Sequence, residues 1–386
     1  MIPEVIPNTN RWLAIDILRG ISVAGMLLNL NPGDWGSQYL WLVHAKWDGW
    51  NLIDMVAPLF LFCIGAAIPL SFSKRLEKGI PKGILLWQIV WRSILLIILG
   101  LFFNLYPSFD WSHLRIPGVL QRIGLGYGIA SIFVLYLTNI DEKNKCHFNY
   151  KLIAFAVVFI LVSYWALLYF IPVPGFGAPR FDPVGSWPPY IDRALLGTNH
   201  MFVWWPVDGK IVFDPDGILS SYPIIINILV GVLAAIFYLR HEPGKKIPFY
   251  IISGIAMIII SYIFIQVCPI VKNIWTSTFA LLSGGIALLL LGMFSFFHQR
   301  MKFVAFFYPF LVFGKNPLLA YLICALLMPL LDWNVISNTS FRFLGHTFFS
   351  QWMGASHASF LFGIIYLTFI FVLLIFFERR KIFLKI

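Results

Sequence analysis

Long apolar segments recur along the whole chain and restrict the folds that it can adopt. Crossing the hydrocarbon core of a bilayer as an α-helix takes about 20 apolar residues, and ten segments of roughly that length are present. The chain is 60% hydrophobic and only 12% charged, well below the charge content of a soluble domain. We therefore predict one all-α polytopic membrane domain over residues 1–386. The predicted spans are 11–31, 50–73, 83–106, 115–138, 151–171, 218–239, 248–267, 273–297, 303–331 and 355–377.

The distribution of basic residues indicates how the spans are oriented. If the N-terminus lies inside, the inner segments hold 17 lysines and arginines and the outer segments hold seven. Basic loops remain on the cytoplasmic side, so both termini are predicted to be cytoplasmic. The same distribution accounts for the net charge of +11 without a nucleic-acid partner. The first ten residues, MIPEVIPNTN, are not expected to act as a secretory signal peptide.

Two features interrupt this regular pattern. The ninth span contains GKNP (Gly314 to Pro317), where proline removes a backbone donor and predicts a break or a kink. The outer segments 172–217 and 332–354 are long, and 172–217 shows no apolar period. Loops of this length are usually functional or disordered. Because both are rich in aromatic residues, we expect them to fold as caps over the outer mouth.

The link between the first two spans carries the strongest candidate for chemistry. His44 lies within VHAKWDGW on the predicted outer face. Imidazole titrates near neutral pH, so it can accept a proton or take an acyl group itself. Asp48 and Asp54 are near enough in sequence to orient the ring. The alternatives are an interfacial histidine in an aromatic belt, and carboxylates that cap a helix or face solvent.

Charged residues inside spans are costly to bury and are therefore functional candidates. Asp16 and Arg19 are three residues apart and share one face of the first helix. They are expected to neutralise each other; the alternative is that Arg19 meets an anionic cofactor. Arg122 lies at a similar depth from the outer side of the fourth span.

A second polar group lies on the predicted outer face with His44. It consists of Asp192, His200, Asp214 and Asp216. Asp214 and Asp216 precede the sixth span, where carboxylates stabilise a helix N-terminus, and binding of a sugar is the functional alternative. The DPDG sequence lacks the ligand spacing of a calcium loop, and the histidines lack metal-ligand spacing, so no metal is assigned.

Several longer motifs together resemble those of one protein family. They occur in order over nearly the whole chain: RWLAIDILRG, the NPG turn, HAKWDGWNLIDMVAPLFLFCIG, LRIPGVLQRIG, YIDRALLG, DPDGILS and KIFLKI. In this order they resemble the transmembrane acyltransferases typified by heparan-α-glucosaminide N-acetyltransferase, including bacterial relatives.

This resemblance implies a transmembrane N-acetyltransferase. Such an enzyme moves an acetyl group from cytosolic acetyl-CoA to the amino group of a glucosamine-type sugar on the opposite side of the membrane. The resemblance places the active histidine on His44 and an important asparagine on Asn29 or Asn31. It also implies a multi-pass protein of the bacterial plasma (inner) membrane, whose partners are acetyl-CoA, an amino sugar and the lipid bilayer, with a homodimer as a permitted assembly. Candidates for binding the cofactor are Arg19, Arg92, Arg122, Lys315 and Asn316, and candidates for binding the sugar are Asp192, His200, Asp214 and Asp216.

Two chemical routes and one different function are compatible with these residues. His44 can deprotonate the attacking amine, or it can first be acetylated; we favour direct transfer because it needs one intermediate fewer. Backbone amides of the Asn31–Gly33 turn, or the asparagine side chains, are expected to stabilise the oxyanion. The functional alternative is an amino-sugar transporter of the inner membrane, which ten spans with a broken ninth helix would also suit.

Overall fold

The computed structural model describes residues 12–300, 306–336 and 339–384. Within these ranges nine helices are long and apolar enough to cross a membrane, and a bent pair of helices brings the number up to ten. The prediction of an all-α polytopic protein with about ten spans is confirmed. The helices are α1 (Leu13–Leu30), α2 (Val56–Leu76), α3 (Lys82–Leu105), α4 (Val119–Tyr136), α5 (Tyr150–Phe170), α6 (Trp187–Leu196), α7 (Ile224–Arg240), α8 (Pro243–Ile263), α9 (Ser277–Arg300), α10 (Tyr308–Lys315), α11 (Pro317–Leu331), α12 (Phe341–Ser350) and α13 (Ala355–Arg379).

The centre of the bundle is formed by α1, α2, α7 and α9, and α7 is the most deeply buried of them. Helices α2 and α7 approach so closely that a Cβ atom on Gly65 would lie 1.8 Å from the carbonyl oxygen of Ile228. A Cβ atom on Gly231 would lie 2.1 Å from the carbonyl oxygen of Phe62. Small residues on facing helices allow this kind of close packing in membranes. A second apolar cluster joins α1 to α10, α11 and α13.

The predicted interruption of the ninth span is present. Helices α10 and α11 are separated by Asn316 alone and are bent by 85° relative to each other. Pro317 begins α11, a position where its missing N–H costs no helical hydrogen bond. The residues of this span before 306 lie outside the described ranges.

Described residues from the predicted inner segments gather at one end of the bundle. A two-stranded antiparallel hairpin, β1 (Thr138–Ile140) and β2 (Cys146–Phe148), lies there between α4 and α5. Lys82 at the start of α3 donates a hydrogen bond to the Thr138 carbonyl, and Arg240 at the end of α7 donates to the Phe148 carbonyl. These contacts agree with the grouping of basic segments on one side.

The two long segments predicted to lie on the outer side contain more regular structure than their sequences indicated. Segment 172–217 includes α6, whose first turn holds Pro188 and Pro189 with the φ angle that a helix requires. Segment 332–354 includes α12 and the short strands β3 (Asn334–Ile336) and β4 (Thr339–Ser340). The Ser340 side chain caps α12 by accepting a hydrogen bond from the Phe343 N–H.

Candidate functional site

The link between α1 and α2 holds His44 in contact with a buried carboxylate. The Nδ1 atom of His44 lies 2.6 Å from the Oδ1 atom of Asp54. The Asp54 side chain is fully buried, whereas a quarter of the His44 side chain is exposed. Because an ionised carboxylate can only accept hydrogen bonds, the Nδ1–H group donates and the lone pair lies on Nε2. The described residues offer Nε2 no hydrogen-bond partner, so this nitrogen can take a proton from another molecule.

The position of Asp54 is set by how the second span begins. Asn51 and Asp54 form a capping box on the turn that precedes α2. The Oδ2 atom of Asp54 accepts hydrogen bonds from the Asn51 N–H (2.8 Å) and the Ala45 N–H (3.2 Å). The Asn51 side chain donates in turn to the Val43 carbonyl. One capping motif therefore fixes both the helix start and the backbone on each side of His44.

Asp48 does not contact the imidazole. Its side chain is exposed, and its backbone pairs with Val271 in an isolated antiparallel bridge. Of the two carboxylates predicted to orient His44, the structure brings Asp54 to the ring and leaves Asp48 in the solvent-facing part of the loop.

Trp205, from segment 172–217 (the outer cap), contacts the His44 ring. The two rings meet edge to face with their centroids 5.8 Å apart. The ammonium group of Lys272 lies 5.4 Å from the centroid of the same indole. Sequence reasoning did not identify either residue, because each is more than 150 positions from His44 and matches no motif by itself.

An array of arginines and aspartates lies beside these residues. Asp214 accepts hydrogen bonds from Arg115 through both of its oxygens, at 2.6 and 2.9 Å. Asp216 pairs with Arg115 at 3.0 Å and with Arg122 at 3.3 Å. Arg122 is also hydrogen-bonded to Ser220 and Ser221 at the start of the α7 span. Asp214 and Asp216 therefore serve to anchor the cap, and Arg122 is engaged with them at the outer end.

Asp192 and His200 are also bound within the cap. The Oδ1 atom of Asp192 accepts a hydrogen bond from the Ile218 N–H at 2.9 Å, and the carboxyl group is fully buried. The Nδ1 atom of His200 lies 2.7 Å from the Leu114 carbonyl oxygen, so Nδ1 carries the proton. The structure thus brings the predicted sugar-binding residues to one region, but most of their polar atoms already have protein partners.

The surroundings shift the pKa values of the groups in this region. Burial and the positive charge of Lys272 lower the pKa of His44, despite the opposing hydrogen bond and charge of Asp54. Burial acts to raise the pKa of Asp216, but the charges of Arg122, Arg115 and Lys272 bring it below its ordinary value. The imidazole is consequently unprotonated at neutral pH and available as a base.

The two candidate asparagines have different environments. Asn29 donates a hydrogen bond at 2.8 Å to the carbonyl of Leu42, two residues before His44, and so supports the histidine loop. Asn31 is fully buried and donates to the Leu27 carbonyl and to the Cys324 sulfur. Its own N–H donates to the Leu28 carbonyl, and the Gly33 N–H donates to the Ser359 carbonyl. Contrary to expectation, the amides of the Asn31–Gly33 turn are therefore not available to an oxyanion.

The remaining cofactor candidates make no hydrogen bond or ion pair with His44. Arg19 pairs with Asp16 at 3.2 Å, as expected, and also donates to the Gly314 carbonyl. Lys315 forms an ion pair with Glu378 of α13. Asn316 donates to the Ile382 carbonyl and accepts from the Leu384 N–H, which fastens the C-terminal segment to the helix break. Arg92 is half-buried in α3 and forms no ion pair with described residues.

Comparison with characterised proteins gives two matches to the same enzyme. The chain is 29% identical to heparan-alpha-glucosaminide N-acetyltransferase of Mus musculus over 314 residues, which are 70% of this chain and 47% of the mouse protein. It is 30% identical to heparan-alpha-glucosaminide N-acetyltransferase of Homo sapiens over 268 residues, 61% of this chain and 40% of the human protein. The chain is a relative of these acetyltransferases. The resemblance predicted from its motifs is confirmed.

These matches cover only part of the proteins compared. The chain spans less than half the length of either acetyltransferase relative. A family model described as "Domain of unknown function (DUF5009)" matches residues 11–175, a range that includes His44, Asp54, Arg115 and Arg122. Trp205 and Lys272, which complete the surroundings of His44, lie beyond that range.

Proposed function

We propose that this chain is a transmembrane N-acetyltransferase that moves an acetyl group from cytosolic acetyl-CoA to the amino group of a glucosamine-type sugar on the outer, periplasmic side of a bacterial inner membrane. The observation that carries this proposal is the His44–Asp54 pair, held at 2.6 Å at the outer end of the bundle, with Nε2 unpartnered among the described residues. The similarity to two named acetyltransferases supports the reaction class.

The proposed chemistry requires a base at neutral pH. An amino sugar is largely an ammonium ion in water and must lose a proton before its nitrogen can attack a thioester carbonyl carbon. His44 with a lowered pKa is unprotonated at pH 7 and can take that proton on Nε2. As the C–N bond forms, the C–S bond breaks, and the proton on Nε2 passes to the leaving thiolate. The freed Nε2 then takes the second proton, which the nitrogen loses on becoming an amide, and releases it to solvent. Asp54 keeps the ring in the required tautomer throughout.

The donor is proposed to enter from the cytoplasmic end. Arg92 is the candidate for contact with its anionic part, because the other cationic candidates are paired within the protein. Asn29 is favoured over Asn31 as the asparagine of functional importance, because it is bound to the histidine loop while Asn31 is buried against α11.

The test is transfer across a sealed bilayer. Purified protein is reconstituted into proteoliposomes that contain radiolabelled acetyl-CoA, and glucosamine is supplied on the opposite side. We expect labelled N-acetylglucosamine to form with wild-type protein and to be absent with His44→Ala, whose thermal unfolding midpoint should stay close to that of wild type. Unmodified glucosamine accumulating inside the vesicles would instead identify an amino-sugar transporter.

Asp54→Asn tests the role of the carboxylate separately. The amide keeps the size of the side chain but offers His44 a group that no longer selects the Nδ1–H tautomer. We expect kcat to fall by about 100-fold or more, in the range that general-base catalysis contributes. Asp48→Asn is the matched control, since its exposed side chain does not contact His44, and its activity should equal that of wild type.

A further inference from the structure

Lys272 is a cation beside the candidate reaction centre. It lies in the short segment between α8 and α9, and its side chain is half-buried. It forms no ion pair or hydrogen bond with described residues, although it lies within electrostatic range of Asp54 and Asp216. Arg115 and Arg122, by contrast, are bound to aspartates. Compared with these two arginines, Lys272 keeps its donors available to a bound molecule.

The backbone on both sides of Lys272 is fixed to the histidine loop. Val271 pairs with Asp48 and Gly49, and the Ile270 carbonyl accepts a hydrogen bond from the Gly49 N–H at 2.8 Å. On the other side, the Asn273 side chain donates to the Lys46 carbonyl at 3.2 Å. This arrangement sets the position of Lys272 relative to His44 even though the two residues are on different elements.

Trp205 is in contact with both His44 and Lys272. The His44 ring meets one part of the indole at a centroid distance of 5.8 Å, and the Lys272 ammonium lies 5.4 Å from the same centroid. A flexible lysine can move its three N–H donors toward an oxygen placed between these groups. The amides of the Asn31–Gly33 turn cannot compete for that oxygen, because they are engaged elsewhere.

We propose that Lys272 is the cationic donor that binds the carbonyl oxygen of the acetyl thioester while His44 accepts the proton of the attacking amine. This assignment rests on the proposed function. As nitrogen attacks the carbonyl carbon, negative charge develops on the oxygen, and a donor already aimed there stabilises it. When the carbonyl double bond re-forms, the oxygen loses this negative charge, and the departing thiolate carries it away. The charged groups that act on the pKa of His44 are Asp54, Lys272 and Asp216.

The first test measures release of CoA thiol by full-length protein, with glucosamine and acetyl-CoA varied separately. Lys272→Met removes the charge and retains much of the side-chain length. We expect kcat to fall by about 100-fold, the usual loss when one oxyanion donor is removed, with both KM values changed by less than about threefold. Lys272→Arg should recover at least a tenth of the wild-type kcat. Lys46→Met, an exposed lysine on the adjoining loop, is the matched control and should equal wild type.

The second test does not depend on catalysis. Diethyl pyrocarbonate modifies unprotonated imidazole, so the rate at His44, followed by peptide mass spectrometry across a pH series, reports its titration. Removing a nearby cation should move the His44 midpoint to higher pH in Lys272→Met and leave it unmoved in Lys46→Met. A wild-type kcat in Lys272→Met, or an unchanged His44 midpoint, would overturn the proposal. If wild-type protein transfers acetyl to no amine, the proposed function fails, while this titration still decides whether Lys272 faces His44.

Discussion

Asp192 has a carboxyl group that is buried away from solvent in the folded protein, where its ionised form is disfavoured. It is fully buried, and its Oδ2 atom accepts no hydrogen bond from described residues. Burial, partly offset by the hydrogen bond from Ile218, raises the pKa of Asp192 to about 7. The adjacent Arg193 forms no ion pair with Asp192, because its guanidinium donates to the carbonyls of Val184 and Val212, and its charge offsets only part of the effect of burial.

This placement predicts a stability that depends on pH. The pKa is higher in the folded than in the unfolded state, so the folded state binds the proton more tightly. The contribution of protonated Asp192 to the free energy of unfolding is fully present below about pH 4. It is lost at about 1.4 kcal/mol per pH unit up to about pH 7. Asp192→Asn should lack this loss. The thermal unfolding midpoint of the variant relative to wild type should therefore be higher at pH 8 than at pH 5. Asp208→Asn, at an exposed position in the same segment, should follow wild type at both values.

At the level of single residues, the local sequence pattern predicted His44 and Asp54 of the candidate site but not Lys272. His44 and Asp54 were recognisable because they lie ten positions apart in a segment whose polar residues stand out between apolar spans. Lys272 has no such context, since a single lysine in a short outer loop has the appearance of an ordinary solvated charge. Its position beside His44 depends on the pairing of Val271 with the histidine loop, which no local signal specifies.

At the scale of elements, the contact between α2 and α7 leaves no room for a side chain at its centre. Gly65→Ala would place a methyl group within 1.8 Å of the Ile228 carbonyl oxygen and force the two helices apart. We expect a loss of at least about 1–3 kcal/mol of stability, as for other overpacked cores. Gly83→Ala is the matched control, because a Cβ atom there would meet no described atom within 4 Å. A helical glycine replaced by alanine should be neutral or stabilising by up to about 1 kcal/mol. Thermal unfolding of the two variants in detergent would compare them.

The outer cap depends on the ion pair between Arg115 and Asp214. The Asp214 carboxylate also accepts hydrogen bonds from the Phe202 and Asp216 amides, so it joins the cap backbone to the approach to α4. Arg115→Met should cost about 3–5 kcal/mol, because it leaves a buried carboxylate without its counter-charge. Limited proteolysis should then cut segment 172–217 faster than in wild type.

The matched control for this experiment lies in the same segment. Arg180 pairs with Asp182 at 2.7 Å, but both side chains are more than one-third exposed. Exposed pairs contribute about 0–1 kcal/mol. Arg180→Met should therefore leave the proteolysis rate close to that of wild type, and equal cleavage of the two variants would contradict the anchoring role of Arg115.

The elements differed in how far their sequences revealed them. The long spans are predictable from apolar length alone, and the break between α10 and α11 is predictable from Asn316-Pro317. Helices α6 and α12 were not predicted, because each has only ten residues and their polar faces resemble loop sequence. Helix α12 is capped by Ser340, whereas α6 has two prolines in its first turn and packs Trp187 against an apolar cluster that contains Tyr164 and Leu168 of α5. Short helices need such tertiary support in order to persist.

At the scale of the whole molecule, the orientation in the membrane can be measured directly. Leu40 is 77% exposed on the histidine loop, and Lys78 is exposed at the opposite end of α2. In intact cells, a membrane-impermeant thiol reagent should label Leu40→Cys, whereas Lys78→Cys should react only after permeabilisation. The native Cys63, Cys268 and Cys324 are buried and should give little background, and both variants carry Cys146→Ser because the half-buried Cys146 would itself react after permeabilisation. The reverse pattern would place His44 on the cytoplasmic side and exclude transfer to an external acceptor.

The pairing of Val271 with the histidine loop also has a consequence for biosynthesis. A nascent chain that has emerged as far as α7 already contains His44, Asp54, Arg115 and Arg122. Its histidine loop still lacks the strand-like partner supplied by residues 270–273. During translation the proposed thioester-cleaving centre can therefore form only after α8 has been inserted. A ribosome-stalled or truncated product that ends before residues 270–273 would reach the membrane without being able to cleave the thioester of acetyl-CoA.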